Sequence, residues 1–576
     1  MPSSIHEKAS TKSTRSSFHS DESIEQVTSV HDHVPETGNG ALEKETAPEI
    51  SPVASRPTIS HNAPSFASTG THDPDFEIDW DDENDQMNPR NWPVWYKGLT
   101  IGFVSWSTWC VVVYSTSYTT GLAEMQADFH ISSEPVVTLG VTAYLVGLAV
   151  GSMILAPVSE MYGRRPVYIV SMFLFTVLII PCGLATSLAE VVVVRFFGAI
   201  AGSAMIANSP ATLSDITTDE YRALAFSIWS IGPLNGPTFG PIIGGFSTQY
   251  LGWRWTNWIV LMISGLAFGF MCILKETYGP VLLKKKAKLR RKEQDDERYW
   301  SRYDDKKVHF LALLKVNLSR PFIMIATEPI CIFWDIYIAI IYGILYLEFV
   351  AYPIVFTGIR GWSAGISGLA FAGMAVGCFV VIGSEPLIRR MINAHTKDPE
   401  TGKVPPEAMV SVICIAAALA PIGELWFAWT CVPPVHWIWP ILAGIPFGAG
   451  TTGVFIYASN YLAQSYGIYA ASAMAGNAVI RSLLGGTLPL AGPAMYAALD
   501  PHWAGTLLGF IQVTIIPIPV LFWKYGHRIR MKSILIRSMQ EDKEKLESKR
   551  RSGIRLAKKE KEEEEIVRIY SKTAQP

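Results

Sequence analysis

Apolar stretches close to twenty residues long recur from Leu99 to about residue 524. At 1.5 Å of rise per residue, roughly twenty helical residues cross the ~30 Å hydrocarbon layer of a bilayer. Twelve spans are predicted, at 99–121, 136–158, 167–186, 191–213, 224–246, 255–274, 330–354, 365–387, 408–430, 437–460, 467–493 and 504–524. They divide six and six about a basic segment. The expected fold class is an all-α integral membrane protein with twelve transmembrane helices in two pseudo-symmetric six-helix bundles. The predicted domains are an acidic disordered tail at 1–74, a first bundle at 75–274, a basic loop at 275–325, a second bundle at 326–525 and a charged tail at 526–576.

Charge supports this reading. Only 17% of the 576 residues are charged, against about 25% in soluble domains. The formal net charge of −2 conceals −10 over 1–97 and +7 over each of 275–320 and 524–576. A soluble enzyme, a disulfide scaffold and a nucleic-acid binder are excluded as the main reading. The seven cysteines lie scattered in apolar runs with no C-x-x-C, so they read as small packed hydrophobes. No H-E-x-x-H and no phosphate-cradling G-x-x-x-x-G-K-[ST] occurs, so no metal, cofactor or enzymatic activity is expected.

Lys and Arg concentrate in alternate loops: Arg164 and Arg165, Arg222, the 275–320 cluster, then Arg389, Arg390, Lys397 and Lys403. The positive-inside rule places these loops and both termini in the cytoplasm. The sequon at Asn317 then falls on the cytoplasmic side, and no glycosylation is expected there. The basic run Lys284–Lys292 reads as an attractor of anionic lipid.

Four groups of residues carry chemistry. In span five, Gly232, Pro233, Gly236, Pro237, Gly240, Pro241, Gly244 and Gly245 form a doubled G-P-x-x-G register. Glycine lets a neighbouring helix approach, and proline frees carbonyls and bends the helix; the plainer reading is generic tight packing. Glu160, Gly163, Arg164 and Arg165 end span two and suit a charge relay at the cytoplasmic gate, or simple anchoring. Arg195, Asp335, Glu348, Glu424 and Arg481 are ionisable residues within spans, where each charge costs roughly 2.5–3.5 kcal/mol. They are the proton-coupling candidates, Glu348 foremost, unless they snorkel from helix ends. Tyr114, Tyr118, Asn235, Trp334, Tyr342, Tyr346 and Asn477 are candidate lining of an amphipathic cavity, or else interfacial belt and core.

Several of these stretches resemble a known family. Gly163-Arg-Arg-Pro166, Arg195-Phe-Phe-Gly198-Ala-Ile-Ala-Gly202 and the span-five Gly-Pro block resemble the drug:proton antiporter branch of the major facilitator superfamily. Asn88-Pro-Arg-Asn-Trp-Pro93, Glu276-Thr-Tyr-Gly-Pro280 and Tyr469-Ala-Ala-Ser-Ala-Met-Ala-Gly-Asn477 with Arg481 resemble its fungal form. The likeness runs from about 75 to 532. It implies a monomeric multi-pass pump, in the plasma membrane, exporting a small amphipathic toxin, drug or secondary metabolite in exchange for protons. A polyamine exporter and a proton-coupled or facilitative nutrient importer are the alternatives.

Overall fold

A computed structural model of the chain describes residues 76–81, 85–304, 310–396 and 404–541. The expected tail 1–74, the loop residues Lys397 and Lys403, and most of the tail 526–576 lie outside the described residues. So does the side chain of Asn317, whose backbone falls in a helix.

The described chain is helical apart from one isolated bridge pair, Glu77 with Trp300. The first half comprises α1 (Val94–Thr116), a short α2 (Leu122–Asp128), α3 (Glu134–Tyr162), α4 (Arg164–Leu184), α5 (Leu188–Ile216), α6 (Asp219–Leu251) and α7 (Trp253–Ile273). Next come α8 (Gly279–Gln294) and α9 (Phe310–Thr327). The second half holds α10 (Pro329–Tyr352), α11 (Ala364–Leu369) with α12 (Ala372–Gly383), and α13 (Glu385–Asn393). It closes with α14 (Ala408–Thr430), α15 (Ile438–Tyr466), α16 (Ala470–Ile515) and α17 (Pro517–Lys532).

Ten helical stretches among the described residues are long and apolar enough to cross a membrane. Two local features bring the count to twelve. The glycines and prolines of α6 dilute its hydropathy, so this helix of 33 residues is not among the ten although it is long enough to cross. The last stretch, Ala470–Lys532, contains a reversal at Asp500, whose backbone (φ 57°, ψ 154°) is non-helical. Pro501 disfavours helix at the residue before it. Along α16 up to Asp500, Asn477 meets Asp335 and Gly492 meets Leu347, so the chain runs parallel to α10. After Asp500, Gly505 meets Ala428 and Arg530 meets Glu407, so it runs antiparallel to α14.

The halves repeat one packing plan. α1 packs on α6 and α3 on α5; correspondingly, α10 packs on α16 and α12 on α15. Between halves, α3 meets α16 and α6 meets α11 and α12. Large apolar side chains such as Phe173, Met262, Leu266, Phe379 and Phe510 face outward, as expected when the solvent is lipid.

The segment expected as a basic loop is largely helix. Gly279-Pro280 opens α8, Leu283 and Ala287 are buried beneath it, and Asp295 closes it in the left-handed region (φ 52°). Its charge is partly neutralised by the acidic residues before α1. Lys286 Nζ lies 2.6 Å from Asp85 and 2.9 Å from Asp81; Arg302 lies 3.0 Å from Glu77. The amides of Ile78 and Trp300 bond to the carbonyls of Trp300 and Phe76 at 2.8 and 3.0 Å. Arg290 and Arg291 pair with Asp81 and Asp304. Three cations of the basic run, Lys286, Arg290 and Arg291, thus have acidic partners within the chain, while Lys285, Lys288 and Lys292 stay exposed.

Candidate functional site

The bundle has a basic end, carrying Gly163–Arg165 and Arg389–Arg390, and a far end, carrying Glu124, Asp128 and Arg360. From mid-height to the far end the halves touch tightly. Thr142 Oγ1 on α3 donates to Gly486 O at 2.5 Å. Gln249 at the end of α6 accepts from the Gly365 amide at 2.9 Å. The Ser115 and Tyr346 hydroxyls also bond across the seam, at 3.0 Å.

The Gly-Pro block of α6 explains itself by packing. Gly232, Gly236, Gly240 and Gly244 fall four apart and all face α1; a methyl at Gly236 would stand 2.8 Å from Val112 Cβ. Gly245 turns instead to Ala364 of the other half. Each proline strips a hydrogen bond from the carbonyl four residues earlier. Pro233 frees Trp229 O, which Ser105 Oγ takes at 3.0 Å, and Pro241 frees Pro237 O, which Thr116 Oγ1 takes at 2.8 Å. In a medium without water these substitutes matter, since each orphaned carbonyl costs several kcal/mol.

The residues of the expected relay lie together at the basic end, with partners that the sequence did not indicate. Gly163 closes α3 at φ 101°, and Glu276 Oε2 lies 2.5 Å from where its β-carbon would be. The Glu276 carboxylate accepts the amides of Arg164 and Arg165 at 2.9 and 3.1 Å, and those of Thr277 and Tyr278 at 3.0 and 2.9 Å. Arg164 also bonds to Ser159 Oγ, lies 3.5 Å from Asp215 and stacks on Tyr278 at 5.0 Å. Burial pushes the Tyr278 hydroxyl well above the ordinary phenol value. Glu160 contributes an electrostatic interaction with Arg164. Sequence reasoning missed Asp215 and the role of Glu276. All these residues belong to the first half, so the relay ties α3 and α4 to the ends of α5 and α7.

Arg195 is 1% exposed and fully engaged. Its guanidinium donates to the carbonyls of Gly140, Tyr114 and Ser115 at 3.1, 3.0 and 3.3 Å. It also stacks on the rings of Tyr114, Tyr118 and Tyr144 at 4.5, 4.4 and 4.8 Å. It forms no ion pair among the described residues. The Tyr114 hydroxyl donates to Asn257 and that of Tyr118 to Val137 O, both at 2.8 Å. Arg195, Tyr114 and Tyr118 thus knit α1, α3 and α5 together.

In the second half, Glu348 of α10 and Glu424 of α14, each 1% exposed, are electrostatic neighbours, and neither Glu348 oxygen has a hydrogen-bond partner among the described residues. Gln512 neighbours Glu424; Tyr352 and Tyr496 neighbour both acids. Neither acid forms an ion pair with Lys or Arg among the described residues. A second cluster lies on the α10–α16 face. Asn477 donates to Asp335 Oδ1 at 3.0 Å, and Arg481 lies over the rings of Tyr342 and Phe455 at 5.4 and 4.8 Å. The two remaining cavity candidates are buried elsewhere. Trp334 packs among Tyr337, Tyr461 and Phe522; Asn235 is buried beside Cys378 of α12. Gln512, Tyr496 and Phe455 were not singled out from sequence.

Two six-helix halves, sealed together near one end around buried charges, define a membrane transporter. The family model described as "Major Facilitator Superfamily" matches residues 104–489, and the chain belongs to that superfamily. The chain is 40% identical to a citrinin biosynthesis cluster MFS transporter, mrr1, of Monascus ruber, over 79% of this chain and 91% of that protein. It is 37% identical to the multidrug transporter mdrA of Aspergillus fumigatus, covering 81% and 76%. It is also 37% identical to the efflux pump FUBT of Fusarium oxysporum, covering 81% and 79%. The solved proton:xylose symporter XylE, bound to 6-bromo-6-deoxy-D-glucose, shares the fold with a TM-score of 0.53 at 15% identity. The match covers 75% of this chain and 96% of that one.

Proposed function

We propose that this protein exports small amphipathic molecules from the cell in exchange for inward-moving protons. It works as a monomer in the plasma membrane, with both termini cytoplasmic. The observation that carries the exchange mechanism is the burial of Glu348 and Glu424 as electrostatic neighbours, with Glu348 Oε1 and Oε2 lacking hydrogen-bond partners. Two facing carboxyls without a cation repel when both are charged, so the pair is built to hold and release a proton. The relatives named as efflux pump and multidrug transporter support the outward direction. The packing near the far end supports alternating access, in which the halves part there only after the basic end has closed.

In everted membrane vesicles, acidifying the lumen should drive accumulation of cargo. Glu348→Gln and Glu424→Gln should each abolish the response to the gradient while leaving downhill cargo flux. Accumulation indifferent to the gradient in the unaltered protein would reject proton exchange.

A further inference from the structure

Arg195 and Arg481 make an instructive pair. Both lie deep in the bundle, yet the first has its donors engaged by three carbonyls and three tyrosine rings. Arg481 has no hydrogen bond or ion pair among the described residues, and its Nε is buried without a partner. A guanidinium offers five donors in a rigid fork that matches a carboxylate. A buried Nε without a partner is costly, and the partial exposure of the side chain leaves the guanidinium open to an incoming carboxylate.

The surroundings define that ligand. Tyr342 and Phe455 flank the guanidinium, and all three side chains keep partial exposure although they sit in the middle of their helices. One turn on, Gly485 and Gly486 touch Tyr342 and also Leu145 and Thr142 of the first half. The cluster therefore borders the seam between the halves. The nearest acid is Asp335, an electrostatic neighbour that makes no ion pair with Arg481. Asn477, one turn before Arg481, instead holds Asp335 Oδ1 at 3.0 Å. The asparagine thus engages one oxygen of the acid, Asp335 Oδ2 is buried without a hydrogen-bond partner, and no ion pair to Arg481 forms.

Resting on the export reading above, we infer that Arg481, Tyr342 and Phe455 form the subsite for a carboxylate carried on an aromatic or planar apolar body. Arg481 takes the carboxylate, the two rings take the apolar body, and Asn477 is a positioning residue. The transported class is then organic acids in their anionic form, and polyamines are excluded.

The test is equilibrium binding to the purified full chain in nanodiscs at neutral pH. Three matched probes are used: 4-phenylbenzoate, 4-phenylbenzamide and 4-phenylbenzylamine. The unaltered protein should bind the benzoate at least about tenfold more tightly than either other probe, the scale of one charge-assisted contact. Arg481→Gln should erase that preference, and Arg481→Lys should keep part of it. Asn477→Leu should weaken benzoate binding by releasing Asp335 towards Arg481, with amide binding unchanged. Should Arg481→Gln fail to fold, Phe455→Ala carries the test: all affinities fall but the benzoate preference survives. A benzoate bound no better than the amide by the unaltered protein overturns the proposal, as does an Arg481→Gln variant that keeps the preference. Binding needs no proton gradient, so this readout is independent of whether export is coupled to protons.

Discussion

Gly163 and Glu276 show how much of the basic end depends on a single side chain. Gly163 stands at φ 101°, ψ 161°, a conformation nearly closed to other residues, and Glu276 fills the space where a β-carbon would go. Gly163→Ala should cost about 1–3 kcal/mol from backbone strain alone, read as a lower melting temperature in detergent. Glu276→Gln keeps the shape but loses charge-assisted acceptance of four amides. It should destabilise by about 2 kcal/mol or more. A melting temperature unchanged in both variants would contradict this account of the relay. Asp215 and Glu276 escaped sequence reasoning because an acid at a helix end ordinarily reads as solvated. Their partner Arg164 is distant in sequence, and only the fold brings the three together. Phe455 escaped for another reason: in a helix apolar on every side, periodicity does not say which face meets the seam.

Among elements, α6 shows the clearest link from sequence to packing. Its glycine stripe and proline-freed carbonyls fit the hydroxyls of α1. Gly236→Leu should therefore force α1 and α6 apart and abolish transport. Gly265→Ala in α7, where a methyl meets nothing within 4 Å, should be neutral or slightly stabilising. Equal tolerance of both changes, measured by export and melting temperature, would contradict the packing role. The strap before α1 is a second element with a defined condition. Burial pushes the Asp85 carboxyl up, but hydrogen bonds from Lys286, Met87 and Asp81 outweigh it and hold the value below 3.8. A group depressed in the folded state stabilises above its unfolded value and loses that contribution as pH falls through the folded one. The strap is therefore held at neutral pH and loosens only in acid. Lys286→Met should speed hydrogen exchange of the Ile78 and Trp300 amides at neutral pH; unchanged protection would show that Lys286 does not hold the strap. From sequence alone Lys284–Lys292 reads as an attractor of anionic lipid, and the pairing of Lys286 is hidden because Asp81 and Asp85 lie some two hundred residues away.

On the scale of the whole molecule, the six-plus-six division was legible because the hydrocarbon thickness sets one length for every span. The predicted run 467–493 followed by 504–524 anticipated the reversal at Asp500, and the expected pseudo-symmetry of the halves appears as repeated helix pairing. Which faces meet across the seam was not legible, since it depends on contacts such as Thr142 with Gly486 that carry no local signal. Those contacts matter because alternating access requires them to break in every cycle. Cysteines placed at Thr142 and Gly486 should report this directly, with the native Cys272 and Cys414, which retain exposed surface, changed to serine. In proteoliposomes, oxidising the pair should stop cargo export completely, and a reductant should restore it. Export that continues at full rate with the seam covalently locked would contradict the rocking of two halves on which the account rests.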